Sequence, residues 1–224
     1  MFAKGLIFFC LSMIPNRRLK IFFLRLIPGC KISYNSFIGY FNYIKFNELE
    51  INSGRIGHLN WLDINQIRIK QGAWIGNLNR IKSVNQVLLK ENAIIQARNK
   101  VFGPSIHHRN LSDDYKLEFQ NLVLGERSEL LRSNFVDLTR SVTLGDNVVI
   151  GGNGSEFWTH GFDVERNLKA GDIELGDNIF VGSQCIFTPG VKIVDKVIIA
   201  PGSVVYKSIN EAGLYSSHQL VKKK

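Results

Sequence analysis

One stretch of the chain gathers groups that could move a proton. Ser155 to Asp163, SEFWTHGFD, sets a histidine among aromatic rings and carboxylates, while the sequence on either side keeps a steady rhythm of aliphatic residues and glycine. A neutral imidazole has an unperturbed pKa of ~6.5, so His160 could accept and return a proton near neutral pH. A carboxylate nearby would hold its tautomer; Asp163 and Glu165 are in range, and Asp163 is closer along the chain. Phe157 and Trp158 would wall such a site. The plainer alternatives are a structural loop histidine and a tryptophan that only packs its loop down.

What must position this stretch is a repeat. A ten-residue pattern, aliphatic-x-aliphatic followed by polar or glycine positions and then aliphatic-glycine, recurs along the chain. It reads CKISYNSFIG from Cys30, LEINSGRIG from Leu49, IRIKQGAWIG from Ile67, VLLKENAIIQ from Val87 and LVLGERSELL from Leu122. VTLGDNVVIG from Val142, IELGDNIFVG from Ile173 and VKIVDKVIIA from Val191 complete it. Five of the seven intervals between copies are 18 to 20 residues, and within the last copies Leu175, Val181, Phe187, Ile193, Ile199 and Val205 fall every sixth residue. Neither a helix nor an ordinary strand repeats aliphatics at six. A triangular coil does, with one large inward residue on each of three short strands. Twenty glycines against five prolines suit its corners. Each coil buries its inward row only against its neighbours, so the domain is a one-dimensional stack.

Two intervals are too long for one coil. Leu89 to Leu124 spans 35 residues and Leu144 to Leu175 spans 31. The surplus places loop insertions at about 103–121 and 156–172, and insertions of this kind leave a solenoid on its functional side. His160 therefore stands on an excursion from a rigid support. The first insertion carries a second pair of histidines, His107 and His108.

Before the repeats, residues 1–29 form a short helical segment. The apolar run Gly5 to Ile14 is much shorter than the ~20 residues needed to span a bilayer. From Arg17 to Ile27, Leu19, Phe22, Phe23 and Leu26 follow i, i+3, i+4, i+7 spacing, which marks one apolar helical face. That face either caps the core or lies on an acidic membrane surface. The β-helix would occupy 30–206, leaving 207–224 as a basic tail. Net charge is +9, which favours an anionic partner. Nucleic acid is excluded by the scattered charge and the absence of any base-reading motif. Cys10, Cys30 and Cys185 form no CxxC pair or disulfide framework, as in a reducing compartment.

From Ile173 to Ile209 the sequence IELGDNIFVGSQCIFTPGVKIVDKVIIAPGSVVYKSI resembles the hexapeptide-repeat acyltransferases, most closely the sugar and polysaccharide O-acetyltransferases. The resemblance is best over Ser141 to Lys224 and degenerate from Cys30 to Val101. It implies an all-β fold, a left-handed parallel β-helix, and a homotrimer with acetyl-CoA in the groove between subunits. It implies a cytoplasmic enzyme, or one peripheral on the inner face of the cell membrane, and requires no metal.

The resemblance also assigns roles. Thr159-His160 matches the family's loop histidine, the general base that takes a sugar hydroxyl's proton as it attacks the thioester; Asp163, or Glu165, remains the carboxylate that proximity suggests for it. Ser183 matches a contact to the pantetheine arm. Ala200 and Gly202 match the turn lining the CoA channel, where Pro201 departs from the pattern and removes an N–H donor. Lys207 and Lys222 match positions near the adenosine phosphates. Asn134 and Asp137, one coil earlier, and Trp158 are the acceptor-binding candidates, the acceptor being a sugar or lipid-linked saccharide. N-acylation of an amino sugar is a close variant. A zinc enzyme sharing the fold needs three clustered histidines, and the five here are scattered. A scaffold that has lost catalysis is the remaining alternative.

Overall fold

The structure, a computed structural model, describes residues 2–105 and 115–217. It is a parallel β-helix of three faces. The first face stacks the strands that begin at Cys30 and Glu48, the later halves of Trp61–Ile69 and Arg80–Leu89, and the strands that begin at Asn121, Val142, Ile173 and Lys192, each hydrogen-bonded in parallel to the next coil. The second is a nine-stranded sheet running from Phe37–Ile38 to Gly213–Tyr215. The third runs from Tyr43–Lys45 through Phe135–Asp137 and Glu156–Phe157 to Val204–Val205. Two longer strands, Trp61–Ile69 and Arg80–Leu89, turn the edge between the third and first faces without a break, so those faces join into one sheet.

The repeat's third position pairs in register through the stack: Ile32 with Ile51, Ile51 with Ile69, Ile69 with Leu89, Leu89 with Leu124, Leu124 with Leu144, Leu144 with Leu175 and Leu175 with Ile193. The six-residue series from Leu175 to Val205 is buried throughout. These rows make one continuous core, within which the rings of Phe157 and Phe187 stack 4.5 Å apart at 9°.

Glycine has a different job at the corners from the one its abundance suggests. The left-handed backbone positions are mostly held by other residues, including Asn147 (φ 56°), Asn178 (φ 57°) and Lys196 (φ 61°). The glycines beside them are there for space. A Cβ on Gly145 would stand 2.5 Å from the carbonyl oxygen of Gly176 in the next coil, closer than any real Cβ contact. Side chains bind coil to coil along the edges. Between the first and second faces, Asp146, Asp177 and Asp195 each accept the backbone N–H of the residue stacked before them. Between the second and third faces, Asn42, Asn60, Asn79, Asn99 and Asn134 form a buried ladder in the opposite sense, each side-chain oxygen from Asn42 to Asn99 accepting the backbone N–H of the asparagine stacked after it. A buried amide is stable only when its donors and acceptor are matched, and the ladder matches them coil by coil.

Two boundaries differ from the sequence reading. Pairing continues past residue 206, because Ile209 bridges Ile193 and Gly213–Tyr215 pairs with Val197–Ile199. The second insertion begins later than 156. Glu156–Phe157 is the third-face strand of its coil, and only the hairpin of His160–Phe162 with Leu168–Ala170, the antiparallel pair, leaves the prism.

Helices α1 (Phe2–Ser12) and α2 (Arg17–Arg25) pack on the first coil. Asn16 caps α2 by accepting from the N–H groups of Arg18 and Leu19. The helix buries Lys20, Ile21 and Leu24, with Ile27 just beyond it, and turns Leu19, Phe22, Phe23 and Leu26 outward. The face with the best helical spacing is thus the solvent face. The buried lysine is tolerated because its ammonium donates to the Ile38 carbonyl at 3.0 Å and sits 4.0 Å from the Tyr40 ring centre.

Candidate active site

His160 lies on the edge between the third and first faces, at the root of the hairpin. The preceding residue fixes it there. Thr159 is fully buried; its hydroxyl contacts an Asp137 carboxylate oxygen at 2.9 Å and accepts the Arg140 N–H at 2.9 Å. The Thr159 carbonyl accepts the N–H of Gly171 at 3.0 Å, which closes the hairpin's base. The ring therefore leaves the stack at a place held on both sides, and its side chain remains 28% exposed.

The carboxylate on the ring is Asp137. Its Oδ2 lies 2.8 Å from His160 Nδ1. The same oxygen accepts the Thr159 N–H at 3.1 Å, and Thr139 Oγ1 donates to Oδ1 at 3.2 Å while lying 3.0 Å from Nδ1. An ionised carboxylate can only accept, so the neutral ring carries its proton on Nδ1 and presents Nε2 as a free base. The hydrogen bond to Asp137 is the main influence raising the His160 pKa above its usual value; partial burial opposes it, and the charge of Asp137 adds to the rise.

Asp163 is elsewhere. It accepts the N–H groups of Glu165 and Asn167 and pairs with Lys169 at 3.3 Å, so it shapes the hairpin turn, and these contacts lower its pKa. Glu165 joins the same turn through Asn167. Sequence reasoning set Asp137 among acceptor contacts and missed its place beneath the imidazole. A signal existed. Phe135 pairs with Glu156, an offset of 21, and the same offset sets His160 over Thr139, two residues from Asp137.

The other expected site residues are spread out. Asn134 belongs to the buried ladder: its Oδ1 accepts from Ser155 N–H and its Nδ2 donates to the Leu131 carbonyl, so it is spent on structure. Trp158 is 37% exposed, rests tilted on Phe135 at 4.9 Å and donates its indole N–H to Glu156 at 2.8 Å. It opens onto a shallow cleft with Arg98 and Lys100. Phe157 is in the core and walls nothing. Ser183, Ala200 and Gly202 stack on the edge between the second and third faces, where the Ser183 carbonyl accepts the Gly202 N–H. Lys207 stands on the same edge as His160, two coils further on, and is exposed. A second shallow cleft beside the hairpin is lined by Arg140, Lys169, Gly171 and Pro189. Lys222, His107, His108 and His218 lie outside the described residues. Among the described residues, no group of three metal-ligating side chains converges. His58 uses Nδ1 to accept the Tyr40 N–H, far down the stack.

Residues 139–169 and 173–207 match the model of the hexapeptide repeat of succinyl-transferase. Over those residues the chain carries the hexapeptide repeat. Its repeat is 40% identical over 75 residues to the galactoside O-acetyltransferase of Escherichia coli K12, covering 31% of this chain and 36% of that protein. It is 28% identical over 170 residues to the bifunctional protein GlmU of Campylobacter jejuni, covering 71% of this chain and 37% of that one. The chain thus spans little more than a third of the length of either relative. Among solved structures, it is similar to a hexapeptide-repeat acetyltransferase of Vibrio cholerae complexed with acetyl coenzyme A, at 23% identity and a TM-score of 0.39, covering 42% of this chain and 54% of that one.

Proposed function

We propose that this hexapeptide-repeat protein is an acetyl-CoA-dependent O-acyltransferase acting on a sugar hydroxyl of a polysaccharide or its lipid-linked precursor. The observation that carries the reading is the His160–Asp137 pair: one imidazole, outside the prism, with Nδ1 held by a buried carboxylate and Nε2 without a partner among the described residues. In the reaction, Nε2 takes the acceptor hydroxyl's proton as the oxygen attacks the thioester carbonyl. The C–S bond then breaks, the acetyl group stays on the oxygen, and the departing thiolate recovers the proton from Nε2. Asp137 stabilises the imidazolium that exists between those transfers.

A homotrimer is part of the proposal. Ser183, Ala200 and Gly202 stand on a different edge from His160, so a single acetyl-CoA touching both sets would lie between two copies. The hairpin tip supports a partner copy, because Phe162 and Val164 are exposed there. Lys207 and Lys222 would face the adenosine phosphates, and Trp158 the acceptor. A cytoplasmic location belongs to the same proposal, with acetyl-CoA as the co-substrate. The test is a screen of nucleotide sugars and polysaccharide fragments with acetyl-CoA, read as free thiol and as ester product. Thiol release that depends on a hydroxyl acceptor is expected; transfer to an amine alone, or none to any saccharide, would overturn the reading.

A further inference from the structure

Helix α2 presents four large apolar side chains to solvent: Leu19, Phe22, Phe23 and Leu26 are 52, 49, 40 and 65% exposed. Their spacing makes them one stripe, and the Phe22 and Phe23 rings pack edge to face at 5.4 Å. The helix cannot roll to hide them. Its opposite side is committed to the core through Ile21 and Leu24, and Arg17 donates to the carbonyls of Ser36 at 3.0 Å and Tyr34 at 3.3 Å. Leu6 and Ile7 of α1 are also exposed. Contiguous apolar surface of this kind marks a contact with something else.

Charge identifies the occupant. Residues 1–47 contain seven lysines and arginines and no acidic residue; the first carboxylate of the chain is Glu48. Arg18 and Arg25 are exposed on α2 beside the stripe. A second copy docking through the same surface would bring like charges together, whereas an anionic bilayer supplies both the apolar layer and the opposite charge. No helix among the described residues is long and apolar enough to cross a membrane, so the contact is a flat one. We propose that α2 docks this protein on an anionic lipid bilayer, with Leu19, Phe22, Phe23 and Leu26 at the boundary of headgroups and acyl chains and Arg18 and Arg25 against lipid phosphates.

The proposal stands apart from the catalytic reading. Helix α2 packs on the first coil, and His160 follows the sixth, about 24 Å away at ~4.8 Å per coil. Binding of the full chain to vesicles of mixed phosphatidylglycerol and phosphatidylcholine, against phosphatidylcholine alone, tests it. Native protein binds the anionic vesicles at least tenfold better, and salt weakens the binding. The double variant Leu19→Ser/Phe23→Ser and the single variant Arg18→Glu each lose at least tenfold. All three positions are exposed, and an unchanged melting curve confirms the fold. No preference for anionic vesicles, or equal binding by the variants, overturns the proposal. So does a native assembly that the double variant reduces with no vesicle binding by either protein, which would make the stripe a contact between copies.

Discussion

Replacing Asp137 by asparagine removes one negative charge and little else. Three donors converge on Oδ2: the Thr159 N–H, the Thr159 hydroxyl and His160 Nδ1. They require an oxygen at that position, so the new amide places its carbonyl there and its NH2 toward Thr139 Oγ1, whose hydroxyl can rotate to accept. The Nδ1–H tautomer therefore survives, and what disappears is the charge that stabilises the imidazolium. The carboxylate's side chain is only 11% exposed and the bond is 2.8 Å long, so solvent screens it weakly. A hydrogen bond to a charged group is worth about 1.5–3 kcal/mol. At 1.36 kcal/mol per decade of rate, kcat/KM at neutral pH falls by about 10- to 160-fold. Because Asp137 is the main influence raising the His160 pKa, the acid limb of the pH profile also moves to lower pH. Thiol release from acetyl-CoA, measured against pH with the acceptor found by screening, reads both effects, and NMR titration of the ring reads the second without an acceptor. Asp163→Asn, confined to the hairpin turn, should leave kcat/KM within about threefold, as befits a surface change away from the reacting groups. An unchanged plateau and limb in Asp137→Asn, or the larger loss in Asp163→Asn, would refute the pairing as a working unit.

Three further outcomes follow from the stack. Phe187→Ala opens a cavity against Phe157 in the fully buried core and should cost about 3–5 kcal/mol in denaturant unfolding. Asn99→Ala takes the acceptor from the buried N–H of Asn134 and should cost about 1–3 kcal/mol, with a cooperative transition retained. The raised His160 pKa adds stability that is fully present below the unfolded-state value of ~6.5 and is lost as pH rises through the folded value. Native protein should therefore lose a small increment of melting temperature across that window, and His160→Ala should not show it.

The inward rows were legible because a six-residue period leaves no competing element: the third position of each repeat, from Ile32 to Ile193, pairs as its spacing implies. The histidine was legible because it breaks that period. Its partner was not, since Asp137 is 23 residues away and meets the ring only through the coil-to-coil offset; the nearer Asp163 satisfies its own turn instead. The sequence left the role of helix α2's apolar face open for a related reason. Periodicity shows that one face is apolar, but which face meets the core depends on where Lys20 and Arg17 find carbonyls, and those lie on the coil, at Ile38, Ser36 and Tyr34. The glycine count pointed to corners without saying what glycine does there: the structure puts asparagine, serine and even lysine at left-handed positions and keeps glycine where the next coil's backbone comes close.

The free Nε2 of His160 is the chemical centre of the proposed reaction. Acceptor-dependent thiol release from acetyl-CoA by native protein and by His160→Ala, both shown to be folded, tests it most directly. A loss of roughly a hundredfold or more is expected from removing a positioned base. Equal turnover by the two proteins would contradict the mechanism, whatever the fold of the chain that carries the ring.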